Sequence, residues 1–212
     1  MKKYDAIIIG GGYAAAGWMS AAGGENLVIC DSIYPDEFSS CLRQATDGFE
    51  TEIGKQLHNE FDSLGLIRKG IADTVRGAKI ICRMYESLGA DILYNTFVKN
   101  ISETSVTVAN DDGTTVFEGK RVVDLRPCGD KYFWNIIVEG KVPGSIDHFY
   151  DDLSIIRLEF SGDFKDARKK FEEFKKNQPG LKIVIAAAEA EKGGVTSPFA
   201  AFEQGYKSAK GL

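Results

Sequence analysis

Asp5-Ala6-Ile7-Ile8-Ile9-Gly10-Gly11-Gly12-Tyr13-Ala14-Ala15-Ala16-Gly17 opens the chain and decides how the rest is read. The unbroken apolar run Ile7-Ile8-Ile9 reads as a parallel strand buried on both faces, and Gly10 ends it where the backbone must turn sharply. Gly12 has no Cβ to keep a pyrophosphate away from the main chain, and Ala15 stands where a third glycine would allow close helix–strand packing. The small-residue helix that follows points its free N–H groups and positive dipole end at whatever anion the turn holds. A second apolar run, Leu27-Val28-Ile29-Cys30, leaves Asp31 at its end. A carboxylate about 20 residues past the first glycine is what a ribose diol requires, because it accepts from both hydroxyls. Strand, glycine turn, helix and acid together read as a dinucleotide-binding fingerprint.

Bulk composition bounds the alternatives. The chain has 212 residues, 43% apolar and 27% charged, with a formal charge of −5, which suits one large domain or one domain with a small insert. Nothing is basic enough to argue for a nucleic-acid partner. No apolar stretch approaches the ~20 residues of a membrane span, and Met1 to Asp5 runs straight into the first strand, so neither a membrane anchor nor a signal peptide is expected and the expected location is cytoplasmic. Four cysteines (Cys30, Cys41, Cys82, Cys128) and two histidines (His58, His148) show no metal-ligand spacing, so no metal site is expected. Cys30 and Cys82 read as small core residues, Cys41 as a loop thiol, His58 as a surface residue of a polar helix and His148 as structural.

Residues 71–87 carry Ile71, Val75, Ala78, Cys82 and Tyr85 at helical spacing, closed by Gly89. Residues 91–96 read as a third parallel strand. Residues 97–101, 105–109 and 115–117 read as a small antiparallel meander with its turn at Asn110-Asp111-Asp112-Gly113, and residues 119–125 as a returning buried strand. Further on, residues 153–160 suggest a strand and residues 163–177 a helix with Phe164, Ala167, Phe171 and Phe174 on one face, stopped by Pro179-Gly180. The Lys/Glu-rich opposite face reads as solvated.

This order of elements resembles the FAD-dependent oxidoreductase family with the glutathione-reductase-type FAD-binding fold. Three stretches carry the likeness: the fingerprint with Asp31; Gly89-Ala90-Asp91-Ile92-Leu93-Tyr94-Asn95-Thr96-Phe97-Val98 after a long helix; and residues 182–189 followed by Gly193-Gly194-Val195-Thr196-Ser197-Pro198-Phe199. The resemblance implies an α/β fold, a Rossmann-like FAD-binding domain of parallel sheet, helices and antiparallel meander, formed by residues 1–129 and 181–212, with a small α+β insert at 130–180 in the position of a substrate domain. It implies FAD as cofactor. Gly10, Gly12, Tyr13, Ala14 and Ala15 would form the phosphate turn, Asp31 and Ser32 the ribose end, and Arg43 a phosphate partner through its planar fork. Gln44, Thr46 and Asp47 would hydrogen-bond the ring or ribityl chain. The backbone at Val98 would meet the adenine and Glu189 the ribityl or pyrophosphate region, while Thr196 or Ser197 would cap a last helix, with Pro198 and Phe199 in its first turn, facing the flavin ring. Departures are equally specific. Where the family's return strand ends Ala-Thr-Gly, this chain has Asp124-Leu125-Arg126-Pro127-Cys128-Gly129-Asp130, and Ala188-Glu189 replaces the family's Gly-Asp.

The expected function is an FAD-binding flavoprotein, an oxidoreductase moving electrons or hydride on a small-molecule substrate. No catalytic acid or base stands out, and a homo- or hetero-oligomer is left open. Two rivals remain: a non-catalytic or partner-dependent FAD-binding module, and an NAD-binding oxidoreductase, with NADP disfavoured because Asp31 would repel a 2′-phosphate.

Overall fold

The computed structural model of the chain describes residues 2–31, 43–44, 49–126, 131–142, 152–161, 164–190 and 197–211. In chain order its elements are β1 (Ala6–Ile9), α1 (Tyr13–Ala22), β2 (Asn26–Ile29), β3 (Arg43–Gln44), α2 (Glu52–Ser63), β4 (Ile67–Arg68), β5 (Ile71–Ala72), α3 (Thr74–Ser87) and β6 (Asp91–Leu93). There follow β7 (Phe97–Ile101), β8 (Ser105–Asn110), β9 (Gly113–Glu118), β10 (Val122–Asp124), β11 (Lys131–Glu139), β12 (Leu153–Ser161), α4 (Phe164–Asn177), β13 (Ile183–Ala190) and α5 (Pro198–Lys210).

The fold is α/β. Four parallel strands form a sheet in the order β10-β1-β2-β6. β1 is buried along its whole length, and the period-2 alternation of a strand divides its side chains between two layers. Ala6 and Ile8 join Val28 and Cys30 in a core built with α1, α2, α3 and α5. Ile7 and Ile9 join Leu27 and Ile29 against Val106 and Val108 of the meander, β7-β8-β9. Full burial of each isoleucine contributes roughly 1.5–3 kcal/mol. The apolar run is therefore apolar because both faces of the sheet are covered, as the sequence pattern predicts.

The helical layer closes through glycine. A Cβ on Gly17 of α1 would overlap the Phe202 carbonyl of α5, and one on Gly205 of α5 would overlap the Ala14 carbonyl. The two backbones touch at these points, which no larger residue permits. Buried Glu203 ties α5 to α2: its Oε1 accepts from the Thr51 hydroxyl (2.7 Å) and from the Thr51 N–H (3.2 Å). Thr51 in turn caps α2 by accepting from Gly54 N–H at 3.0 Å. That arrangement sets a carboxylate beside a helix N-terminus, where the dipole favours it.

Two expectations change. The helix expected from residue 71 begins at Thr74, because Asp73 caps it through Arg76 N–H (3.0 Å) while Ile71 and Ala72 pair with β4 and β3. Its buried face runs through Thr74, Gly77, Ala78, Ile81 and Tyr85, leaving Val75 47% exposed. His58, expected on the surface, is packed between Phe49 (4.4 Å between ring centroids) and Phe199 (5.1 Å).

Residues 182–189, likened to the last strand of the family, form β13 (Ile183–Ala190). They pair antiparallel with β11, a strand the sequence reading did not anticipate, in a second sheet of order β12-β11-β13. The reason is the aromatic stripe of α4. Phe171 and Phe174 need an apolar platform, which Trp134, Ile136, Val138, Ile156, Leu158, Ile183 and Ala186 supply from all three strands. Two strands alone are marginally stable in water. Trp134 fixes the helix by stacking on Phe171 (4.5 Å, 18°) and donating its indole N–H to the Ala167 carbonyl at 2.9 Å. Among the described residues, no helix is long and apolar enough to cross a membrane, and no group of His, Cys, Asp and Glu could hold a metal ion.

Candidate functional site

The carboxyl ends of all four parallel strands meet at one cleft. Its lining is Ile9 and Gly10 after β1, Ile29 and Asp31 after β2, Thr96, Phe97 and Val98 after β6, and Arg126 after β10, around a cavity of about 110 Å³. β1 lies between β2, reached through α1, and β10, reached from the other side of the sheet. That reversal of direction is the place where open α/β sheets bind their ligands.

The glycine turn has the conformation its residues permit. Gly10 and Gly12 have φ of 91° and 90°, values that L side chains rarely adopt. Gly10 N–H donates to the Ile29 carbonyl (3.0 Å), which joins the turn to β2. Gly12 is the N-cap of α1, and no side chain caps the helix. Its first-turn residues Tyr13, Ala14 and Ala15 are buried. A buried helix start without a side-chain cap, bordered by two positive-φ glycines, suits an anionic ligand that completes the first-turn N–H groups.

One hydrogen bond at this turn was not foreseen. The Tyr85 hydroxyl, from α3, donates to the Gly12 carbonyl at 2.9 Å, and the same carbonyl accepts from Ala16 N–H at 3.0 Å. Tyr85 is fully buried, and a buried phenol needs a partner. Its place on the apolar stripe of α3 was visible in the sequence; the partner across the fold was not.

Beyond β2, Asp31 is exposed at the rim. The opposite wall is held in place by Thr96, whose N–H donates to the Cys30 carbonyl (3.0 Å) and whose hydroxyl donates to the Tyr94 carbonyl (2.8 Å). Asn95 precedes it with φ of 46°. Leu125 N–H donates to the Ile9 carbonyl (2.8 Å), bringing Arg126 against the turn. A Cβ built on Gly10 would stand 2.9 Å from Arg126 N and 3.1 Å from its Cα.

The structure thus brings Gly10, Asp31 and Val98 to one cleft, with Gly12, Tyr13, Ala14 and Ala15 behind it. Tyr13 contributes backbone there, since its ring packs in the core 6.1 Å from Phe61. Arg43 pairs through its backbone with Ala72, and Glu189 pairs with Phe133 in the second sheet. At the start of α5, Ser197 takes the N-cap position with extended backbone and Pro198 follows; the Ser197 hydroxyl makes no capping bond, and Thr196, the alternative cap, lies outside the described residues. Phe199 is core, edge-on to Phe61 at 5.3 Å. Ser32, Cys41, Thr46, Asp47, Cys128, His148 and Thr196 lie outside the described residues.

No protein-family model matches the chain, and no curated protein sequence does. Solved structures do match its fold. The anhydrotetracycline hydroxylase OxyS from Streptomyces rimosus aligns over 98% of this chain and 60% of its own at 16% identity and a TM-score of 0.60. A geranylgeranyl bacteriochlorophyll reductase-like protein from Thermoplasma acidophilum aligns over 99% and 78%, at 11% identity and a TM-score of 0.64. The myxobacterial chondrochloren halogenase CndH, described as a variant of FAD-dependent halogenases, aligns over 99% and 73%, at 14% identity and a TM-score of 0.62. This chain spans only about three-fifths of the hydroxylase. At such identities the likeness is one of fold: a Rossmann-type α/β core shared with flavoproteins.

Proposed function

We propose that this chain binds FAD in the carboxyl-end cleft and acts as a flavin-dependent oxidoreductase on a small-molecule substrate. The observation that carries the reading is the convergence of Gly10, Asp31, Val98 and the uncapped start of α1 at the point where the sheet reverses direction. Asp31 would accept from the ribose hydroxyls, the glycine turn and α1 would hold the diphosphate, and the backbone at Val98 would meet the adenine. Ser32, Arg43, Glu189, Thr196 and Ser197 remain proposed contacts of the rest of the cofactor. Bound flavin would supply electron or hydride transfer, with the protein binding, orienting and shielding it. Support for FAD over NAD comes from the flavoproteins that share the fold, one of them described as FAD-dependent.

The proposed division gives 1–129 and 181–212 to the cofactor and 130–180 to the substrate, with β13, paired into the insert's sheet, joining the two. A second reading, an FAD-binding module that works only with a partner chain, draws on one feature: with β13 in the other sheet, β10 is left as the edge of the parallel sheet among the described residues. Purification decides between them. A yellow protein that releases FAD on denaturation and whose flavin is reduced by a small-molecule donor supports the oxidoreductase. A yellow protein inert without a second chain supports the module. A colourless protein that takes up no added FAD refutes both.

A further inference from the structure

We propose that Arg126 and Asp124 form a two-position ionic latch at the mouth of the cleft, in which Arg126 exchanges the Asp124 carboxylate for the diphosphate of a bound dinucleotide. The latch rests on the cofactor reading and adds to it the group that meets the cofactor's charge. Among the described residues lining the cleft, the charged ones are Asp31 and Arg126. Asp31 repels a diphosphate, and the whole chain carries a formal charge of −5. The start of α1 offers a fractional positive charge equivalent to about half an elementary charge, which leaves most of a diphosphate's charge unmet. Arg126 stands where the deficit is, against Gly10 of the turn.

Its geometry suits exchange. The base of the residue is fixed: Arg126 N–H donates to Asp124 Oδ1 (3.1 Å), and its Cα and Cγ lie 3.1 Å from the point a Gly10 Cβ would occupy. Its guanidinium engages both carboxylate oxygens, Nε to Oδ1 at 3.0 Å and Nη2 to Oδ2 at 2.7 Å. The same planar fork fits adjacent phosphate oxygens. Both partners are partly exposed, with side chains 43% and 40% accessible, and an exposed pair of this kind contributes little to stability. A charge-assisted contact to a diphosphate held in the cleft outweighs it. Arg126, where the family this chain resembles has a small residue, thereby becomes a cofactor contact.

The distinguishing property is opposite signs for the two partners. Calorimetric titration of ADP and of FAD into the full chain should show Arg126→Leu, which keeps bulk and removes charge, binding roughly tenfold more weakly. Asp124→Asn, which removes the paired carboxylate charge, should bind ADP a few-fold more tightly. Arg126→Lys should fall between Arg126→Leu and the native chain, retaining charge without the fork. The difference between Arg126→Leu and the native chain should shrink as salt is raised from about 0.05 to 0.5 M. Thermal unfolding of each variant reports folding separately, and if Arg126→Leu does not fold, Arg126→Lys and Asp124→Asn still carry the test. Native-like ADP affinity in a folded Arg126→Leu, or weakened affinity in Asp124→Asn, overturns the latch and leaves the cofactor reading standing. A native chain that binds neither ADP nor FAD removes both.

Discussion

Gly10 and Gly12, in the turn that leads into α1, and Gly17 of α1 with Gly205 of α5 are glycines for opposite reasons. The first two have φ near 90°, a conformation an L side chain resists, and the space beside Gly10 is taken by Arg126. The other two sit inside helices, at points where a Cβ would run into another helix's carbonyl. Glycine thus borders the proposed site just before α1 and makes a packing contact within it. The difference teaches that losing function and losing the fold are separable by position here, and each prediction below either sharpens or breaks that separation.

The largest effect is expected at Gly17. In Gly17→Ala the new methyl group meets the Phe202 backbone, which cannot rotate away as a side chain could, so α1 and α5 must part. Overpacking of this rigidity should cost about 3 kcal/mol or more, read as a fall in the urea midpoint at unchanged slope. Cofactor binding should decline only as the folded fraction declines. A loss under about 1 kcal/mol would mean that the helices slide freely and that their glycines are not packing residues.

Gly12→Val tests the other half. A branched residue at φ 90° strains the turn by roughly 1–3 kcal/mol, and its Cβ would enter the volume proposed for the diphosphate. FAD and ADP binding should disappear while far-UV and near-UV dichroism still report the folded chain. Retained FAD affinity in that variant would show that the turn does not hold the cofactor. Smaller again is Asp31→Ala, expected to weaken FAD by roughly 1.5–3 kcal/mol, the range for a hydrogen bond to a charged group, with FMN, which lacks the adenosine, unaffected. Equal losses for both would mean that Asp31 acts through folding.

How far the sequence alone reached follows from the range of the interactions involved. The glycine turn, the strand before it and Asp31 lie within one strand-helix-strand unit, whose apolar runs, turn residues and caps are local signals, and the meander was found by its alternation and its Asn110–Gly113 turn. What escaped depended on distant partners. The Tyr85 hydroxyl reaches Gly12 across 73 positions, and the Thr51 hydroxyl reaches Glu203 across 152. The pairing of β13 has the same origin: its Ile-Val-Ile-Ala run suits a buried parallel strand and the edge of a small antiparallel sheet equally well, and only the platform required by the α4 aromatic stripe selects the second. Arg126 shows in the sequence only as part of a departure from the family's Ala-Thr-Gly, because its pairing with Asp124 follows from the bend after β10.

The smallest predicted effect lies at the opposite end of the parallel sheet from the cleft, where a second aspartate holds chain instead of ligand. Asp91, at the start of β6, accepts from Lys2 Nζ at 2.8 Å and from the Tyr4 hydroxyl at 2.9 Å through one oxygen. The Lys2 bond first, and the Tyr4 bond second, hold the Asp91 carboxyl below its ordinary value, while the Asp91 bond raises Lys2. For the lowered acid, the stabilisation is complete above about pH 4, the ordinary carboxylate value, and is lost as pH falls through the depressed one. For the raised base, it is complete below about pH 10.4 and is lost as pH rises further. The tie therefore acts across the neutral range. Both charged partners are nearly half exposed, so Asp91→Asn should lower stability by less than about 1 kcal/mol at pH 7. The gap from the native chain should close as the pH is taken down through the acid limb, where Asp91 itself becomes neutral. ADP affinity should not change. Urea titrations at pH 7 and pH 3 beside an ADP titration check all three, and any loss of ADP binding in Asp91→Asn would show that the amino and carboxyl ends of this sheet are not independent.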